Sequence, residues 1–445
     1  MCAERSGRRA FALGAASLLL GRQAAGRGRT ALGGRVSLRV PWPLFAIDPH
    51  DPSSAAAALF GDALFDTLYV RDEVGGFVPG LAEGEPEPGG QELHVRVRAG
   101  LRTGRGRPLG AQECVASIAR ARASGARGWL TEVPVPRASG STLRFATKDP
   151  SRLVRALASP LVAIVPRGFS PETPDGTGPF RFQSRGDALI LARNPLAARG
   201  PAFLDELVLR SSADLKASLR AFESGADDLG WLGLGLYEIR AGARPFDAGV
   251  TAFATLFVGR DAGAWDAPGV AQRICDSVPA ARLAEFALGA PWRLEPSDGW
   301  GGPPSSILVR DDAPYLLELA RALAGVLSRP GHELVTRAVP PEELASRKIS
   351  RLFALALDAV RPASHGSFGA LVGLTTAVDP ARAAELVRHP PKLGEVSVRA
   401  LTRTLRCGVL GEIRAQGGRV ADVNVALSSA APGVDWGAVS RGRRG

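Results

Sequence analysis

The stretch DGTGPFRF, residues 175–182, sets two glycines and a proline directly against an alternating aromatic run. Gly176 and Gly178 open backbone conformations closed to residues with side chains, and Pro179 fixes its own φ. The order predicts a stiff turn that delivers FRFQS into a strand at a set angle. DALILARN (187–194) pairs back on it as a hairpin, and FLDELVLR (203–210) is a third extended run. The segment 214–231 then reads as a helix ended by Gly225, leading into Trp231.

Upstream, VSLRVP (36–41) alternates as a first strand. Ser53 or Ser54 caps a predicted helix carrying Leu59, Ala63, Leu64 and Leu68. In ELHVRVRAG (92–100), Leu93, Val95 and Val97 face one side and His94, Arg96 and Arg98 the other, the mark of a half-solvated strand. Residues 111–123 return to helical period, 141–150 form another strand, and 152–160 a short helix stopped before proline. The C-terminal half differs. SILVR (306–310), PYLLELARALAGVLSR (314–329), HELVTRAV (332–339), PEELASRK (341–348) and RLFALALD (351–358) read as strand, helix, strand, helix, strand. That alternation predicts an α/β lobe built on a parallel sheet.

A chain of 445 residues, 45% hydrophobic and 22% charged, is long enough for more than one packed unit and ordinary in composition. Its formal charge of +11 is spread over scattered arginines, with Lys148, Lys216, Lys348 and Lys392 the only lysines. A nucleic-acid binder needs that charge massed on one face, so no nucleic-acid partner is expected. Cys2, Cys114, Cys275 and Cys407 show no CxxC or CxxH spacing, which argues against a zinc site and a disulfide framework. His50, His94, His332, His365 and His389 are dispersed, and no metal or cofactor is expected. GxSxG, HExxH and GxxxxGK[ST] motifs are missing, so the chain does not read as an enzyme.

Residues 7–21, GRRAFALGAASLLLG, join paired arginines to an apolar run too short to span a bilayer, followed by small residues at Ala24 and Ala25. Residues 1–25 therefore read as an export signal. Arg8, Arg9 and Phe11 resemble the twin-arginine type, implying a periplasmic protein, with Gly7 and Ala12 departing from the usual pattern. No stable membrane span is expected.

IDPHD (47–51), ALFDTLYVRD (63–72), PGLAEG (79–84), residues 92–121, GTGPFRF (176–182), RNP (193–195), GPAFLDELVLR (200–210) and FESGADDLG (222–230) stand in one order. That order resembles the family 5 extracellular solute-binding proteins, the oligopeptide, dipeptide and nickel receptors of ABC importers. The resemblance implies an α/β, two-lobed periplasmic-binding-protein-like fold of type II, with a subdomain inserted in the first lobe. It places the first lobe at about 36–255 with the insert at about 52–177, the second at 256–394, and a return to the first at 395–445. It implies a peptide or other small organic solute as ligand and ABC permease subunits as partners. The stretch between LALDAVRP and the final strands is short for the family. That motivates a second reading, a degenerate member serving as an envelope interaction protein.

A solute trap needs a concave, partly apolar site with a few oriented polar groups. Four residues stand near strand ends at the expected cleft. Phe45 follows the first strand, as ligand contact or loop anchor. Trp231 either stacks in the cleft or fills the core. Asp358 is the nearest candidate for the acidic residue that holds a peptide's amino terminus in the family. Arg361 has the fork geometry to take a carboxylate. Trp265, Trp292 and Trp300 are candidate rim aromatics.

Overall fold

The computed structural model describes residues 32–72, 74–231, 242–288, 299–392, 397–427 and 433–442. Residues 1–25, read above as an export signal, and Trp292 fall outside the described residues.

One ten-stranded sheet runs through the molecule. Its strands in chain order are β1 (Arg35–Val40), β2 (Phe180–Arg185), β3 (Leu189–Arg193), β4 (Glu206–Ser211), β5 (Leu229–Trp231), β6 (Arg244–Val258), β7 (Ser305–Arg310), β8 (Leu334–Val339), β9 (Leu355–Val360) and β10 (Cys407–Arg419). Across the sheet they lie in the order β8-β7-β9-β6-β10-β5-β1-β4-β3-β2. The first lobe holds β1 parallel to β4 and β5, with the β2–β3 hairpin on the edge. In the second lobe β7 runs parallel to both β8 and β9, as the alternating pattern predicts. The helix Pro314–Leu327 packs Leu316, Ala320, Leu323 and Leu327 on this sheet, all buried.

Two long antiparallel strands join the lobes. At one end Arg244–Asp247 of β6 pairs with 416–419 of β10, next to β5 of the first lobe. At the other end 253–258 of β6 pairs with β9 of the second lobe and with 407–412 of β10. Between the ends the register shifts at Asp247/Val250, Val250/Ala252 and Ala254/Thr255. Bulges of this kind bend and twist a ladder, so the crossing is where the sheet can flex.

The opening stretch has a different reason for its glycines than backbone freedom. Neither Gly176 nor Gly178 has positive φ. Instead, a Cβ on Gly178 would lie 2.5 Å from the carbonyl carbon of Leu64 and 2.7 Å from Ala63 O, and one on Gly176 would lie 2.6 Å from the Phe65 ring. The turn runs against the C-terminus of the helix Ala55–Leu64, and Gly178 N–H donates to Leu64 O at 3.0 Å. The helix therefore ends at Leu64, short of Leu68. Buried Asn194 of the RNP segment ties the turn to the hairpin, its Nδ2 donating to Gly178 O at 2.8 Å.

The segment before this turn builds a separate four-stranded sheet from Glu87–Gly89, Glu92–Arg96, Thr142–Phe145 and Arg137–Ser139. Its apolar face, with Leu93, Val95, Leu143 and Phe145, packs with the helix Ala111–Ala123 through Cys114 and Ile118. That core also takes in Ala363, Val372, Ala383 and Val387 from the second lobe, so the two bodies share an apolar contact. Cys114, Cys275 and Cys407 are buried free thiols. Among the described residues no helix is long and apolar enough to cross a membrane.

Candidate functional site

The site lies between the lobes, where β1 and β9 end. After β1 the chain crosses the seam as a strap, residues 48–54, before entering the helix Ala55–Leu64. Ser54 caps that helix by accepting from Ala57 N–H at 3.1 Å. Ser53 turns the other way and donates to Asp358 Oδ2 of the second lobe at 2.9 Å. Arg361, just past β9, donates from Nη1 to Pro49 O at 3.1 Å and Asp51 O at 3.0 Å, and its backbone N–H donates to Pro52 O at 2.8 Å.

The strap is held from the first lobe as well. Arg120 donates to both oxygens of Asp48, at 2.8 Å to Oδ1, and to His50 Nδ1 at 2.7 Å. His50 Nε2 donates to Ala163 O at 2.8 Å, which fixes the neutral tautomer with Nδ1 as acceptor. Burial pushes the His50 pKa down to about 4, with the Arg120 charge adding to the effect. Burial opposes ionisation of Asp48, but the Arg120 hydrogen bonds outweigh it and hold that carboxyl below its ordinary range.

Cavities open on both sides of the strap. The larger holds about 830 Å³ counted to its open mouth. It is walled mainly by apolar groups, among them Leu59, Phe65, Val70, Pro160, Val250 and Val434, with Arg361 and Arg199 as its cations. Val250 and Thr251 come from the stretch of β6 where the register shifts, so this cavity touches both lobes and their joint. Arg199 Nε donates to Asp66 Oδ1 at 2.6 Å, and Thr177 of the opening stretch donates to Asp66 Oδ2 at 2.8 Å. Burial opposes the Arg199 charge, but Asp66 and Asp62 outweigh it and keep the guanidinium charged. The smaller cavity, about 430 Å³, lies between Trp42, Phe45 and the strap on one side and Arg310 and Leu316 on the other.

The four sequence candidates fall in different places. Arg361 lines the larger cavity and is 4% exposed. Asp358 stands beside the strap at 3% exposure, bonded to Lys348 Nζ at 2.7 Å, to Ser53 and to Ala359 N–H. Phe45, 48% exposed, sits at the wall of the smaller cavity. Trp231 is 2% exposed within the main core and lines neither cavity. Of the rim candidates, Trp300 is buried and packs on Trp265 with ring centroids 5.2 Å apart. Sequence reasoning missed Arg199, Asp66 and the strap's grip by Arg120 and His50. The IDPHD motif was the available signal for the last of these.

Two lobes that share a pair of strands and close on an apolar cavity define a two-lobed binding protein. Comparison with known proteins agrees. Residues 76–236 match the profile of bacterial extracellular solute-binding proteins, family 5, middle segment. None of the curated proteins matches the sequence. Among solved structures, NikA from Staphylococcus aureus in complex with Ni(L-His)2 superposes with a TM-score of 0.67 at 15% identity, over 92% of this chain and 99% of that one. DppA from Helicobacter pylori in complex with the peptide STSA gives 0.68 at 15% identity, over 95% and 100%. The Escherichia coli murein tripeptide binding protein MppA gives 0.70 at 12% identity, over 94% and 100%. The chain thus carries the family 5 profile over its middle third and shares the two-lobed fold of these binding proteins along nearly its whole length.

Proposed function

We propose that the protein captures a small organic solute, such as a short peptide, in the larger cavity between its lobes and hands it to an ABC importer. The observation that carries this reading is the placement of that cavity. Its walls come from the first lobe, from residues 361–364 of the second, and from the joint strand at Val250 and Thr251. A solute lodged there touches both lobes, so its binding free energy acts on the closed state alone and shifts the population toward it. The cavity favours capture over the alternative of an envelope interaction protein that has lost its ligand.

Thermal unfolding in the presence of solute pools tests it, because a ligand bound only by the folded state raises the transition temperature. Saturable stabilisation by di- to tetrapeptides is expected. No response to peptides, sugars, opines or metal–chelate complexes contradicts it.

The match of residues 76–236 to an extracellular solute-binding family supports an exported protein, and the paired Arg8 and Arg9 support the twin-arginine route. Replacing both arginines by lysine is expected to keep the protein in the cytoplasm. Unchanged export contradicts the route.

A further inference from the structure

We propose that the solute is an anion, a small carboxylate with an apolar body, and that its carboxylate lies on the guanidinium of Arg361. The proposal rests on the capture reading above and names the chemical class captured.

The two ionisable groups that β9 brings to the seam are in opposite states. Asp358 is already neutralised. Lys348 pairs with it, Ser53 donates to the same oxygen, and Ala359 N–H donates to the other at 2.9 Å. It lines neither cavity, so it offers nothing to an incoming ammonium group. Arg361 has no such partner. Its Nη1 is spent on two backbone carbonyls, while Nε and Nη2 carry no hydrogen bond among the described residues, and no carboxylate among those residues forms an ion pair with it. Asp51 and Asp48 of the strap attract it without forming an ion pair. A guanidinium with so little exposure and no carboxylate in contact is expensive to bury, and an anion arriving in the cavity lowers that cost. Burial lowers the Arg361 pKa only to about 10, so the group stays charged at neutral pH.

The rest of the cavity fixes the remaining chemistry. Arg199, the other cation in its wall, is compensated by Asp66 and Asp62. Both carboxylates of the lining, Asp62 and Asp66, are thus committed to Arg199, and Arg361 is the one guanidinium of the wall without an ion-paired carboxylate among the described residues; around it the walls are mainly alanine, leucine, phenylalanine, valine and proline. A single carboxylate on an apolar body fits that pattern. A cation would be repelled by Arg361 and would find the wall's two carboxylates already paired with Arg199.

The test uses the full mature chain and a panel of dipeptides and arylalkyl acids, each paired with its own carboxamide, with binding read by calorimetry. At least one acid is expected to bind saturably, with its amide about 10- to 100-fold weaker, the range set by removing one charge-assisted hydrogen-bonded pair. Arg361→Gln is expected to weaken the acid by a similar factor and leave the amide unmoved. If that variant does not fold, the acid–amide comparison on the native chain decides alone. Solutes that bind with no preference for acid over amide overturn the anion and leave capture standing. If no acid, amide, peptide, sugar, opine or chelate binds, both readings fall together.

Discussion

Ser53 and Asp358 meet across the lobe seam, hydroxyl to carboxylate at 2.9 Å, although they lie 305 residues apart in sequence. The bond joins the strap of the first lobe to β9 of the second. Beneath it Lys348 Nζ reaches the same carboxylate oxygen at 2.7 Å and covers the Phe257 ring at 4.5 Å.

This arrangement makes a graded prediction. Ser53→Ala removes one neutral donor and is expected to cost about 1 kcal/mol. Asp358→Ala strands a half-buried lysine and is expected to cost about 3 kcal/mol. Joint replacement of Asp358 by Leu and Lys348 by Met removes both charges and is expected to recover most of that loss. Urea titration of the three variants checks the order. A double variant as weak as Asp358→Ala contradicts it.

The turn that opens the first strand pair predicts a steric effect. Gly178→Ala drives a methyl group into the backbone of Ala63 and Leu64 and is expected to destabilise by about 3 kcal/mol. Gly186→Ala, in the hairpin turn with open space around it, is expected to change stability by less than about 0.5 kcal/mol. Equal effects at the two sites, measured by thermal melts, contradict the close-approach account.

The buried histidine predicts a pH dependence. In the unfolded chain His50 takes up a proton near its ordinary pKa of 6.5, whereas in the folded protein it resists protonation until about pH 4. Between those values the unfolded state binds more protons, so stability falls as pH drops from about 6.5 to about 4, by about 3 kcal/mol. Below that window this residue adds no further loss. His50→Asn is expected to flatten the stability profile across the window. A variant with the wild-type slope contradicts the assignment.

Closure has its own apolar contact. Trp129 of the inserted subdomain meets Phe368 of the second lobe with ring centroids 5.8 Å apart, and Arg388 donates to Glu132 beside it at 2.8 Å. Phe368→Ala is expected to disfavour the closed state by about 1 kcal/mol and to weaken solute binding roughly fivefold with the cavity walls untouched. Calorimetry on the variant checks this, and unchanged affinity contradicts it.

Much of this was legible in the sequence because local period carried it. The β2–β3 hairpin, the half-solvated strand Glu92–Arg96 and the strand–helix alternation of the second lobe each repeat a pattern over one element. Of the two joining strands, residues 397–427 read as extended chain, but β6 and its pairing with β10 were not legible. VTAFATLFV (250–258) is apolar on both faces, so its alternation is silent, and its partner β10 lies some 150 residues away. The strap was hidden for a related reason. Arg361 binds its carbonyl oxygens from 312 and 310 residues away, and no side-chain pattern marks a carbonyl as an acceptor. Trp231 follows a helix end and a glycine in either environment, so its burial in the main core left no trace in DLGW.

The central claim is that two lobes flex about β6 and β10 and shut on a solute. Leu196 of the first lobe and Ile349 of the second are both exposed, while Cys114, Cys275 and Cys407 are buried. Spin labels at Leu196→Cys and Ile349→Cys, in a chain also carrying Cys2→Ser, report the lobe separation by electron double resonance. The account predicts a longer, broader distance distribution in the ligand-free protein and a shorter, narrower one with a saturating pool of di- to tetrapeptides. A distribution that is the same in both contradicts it.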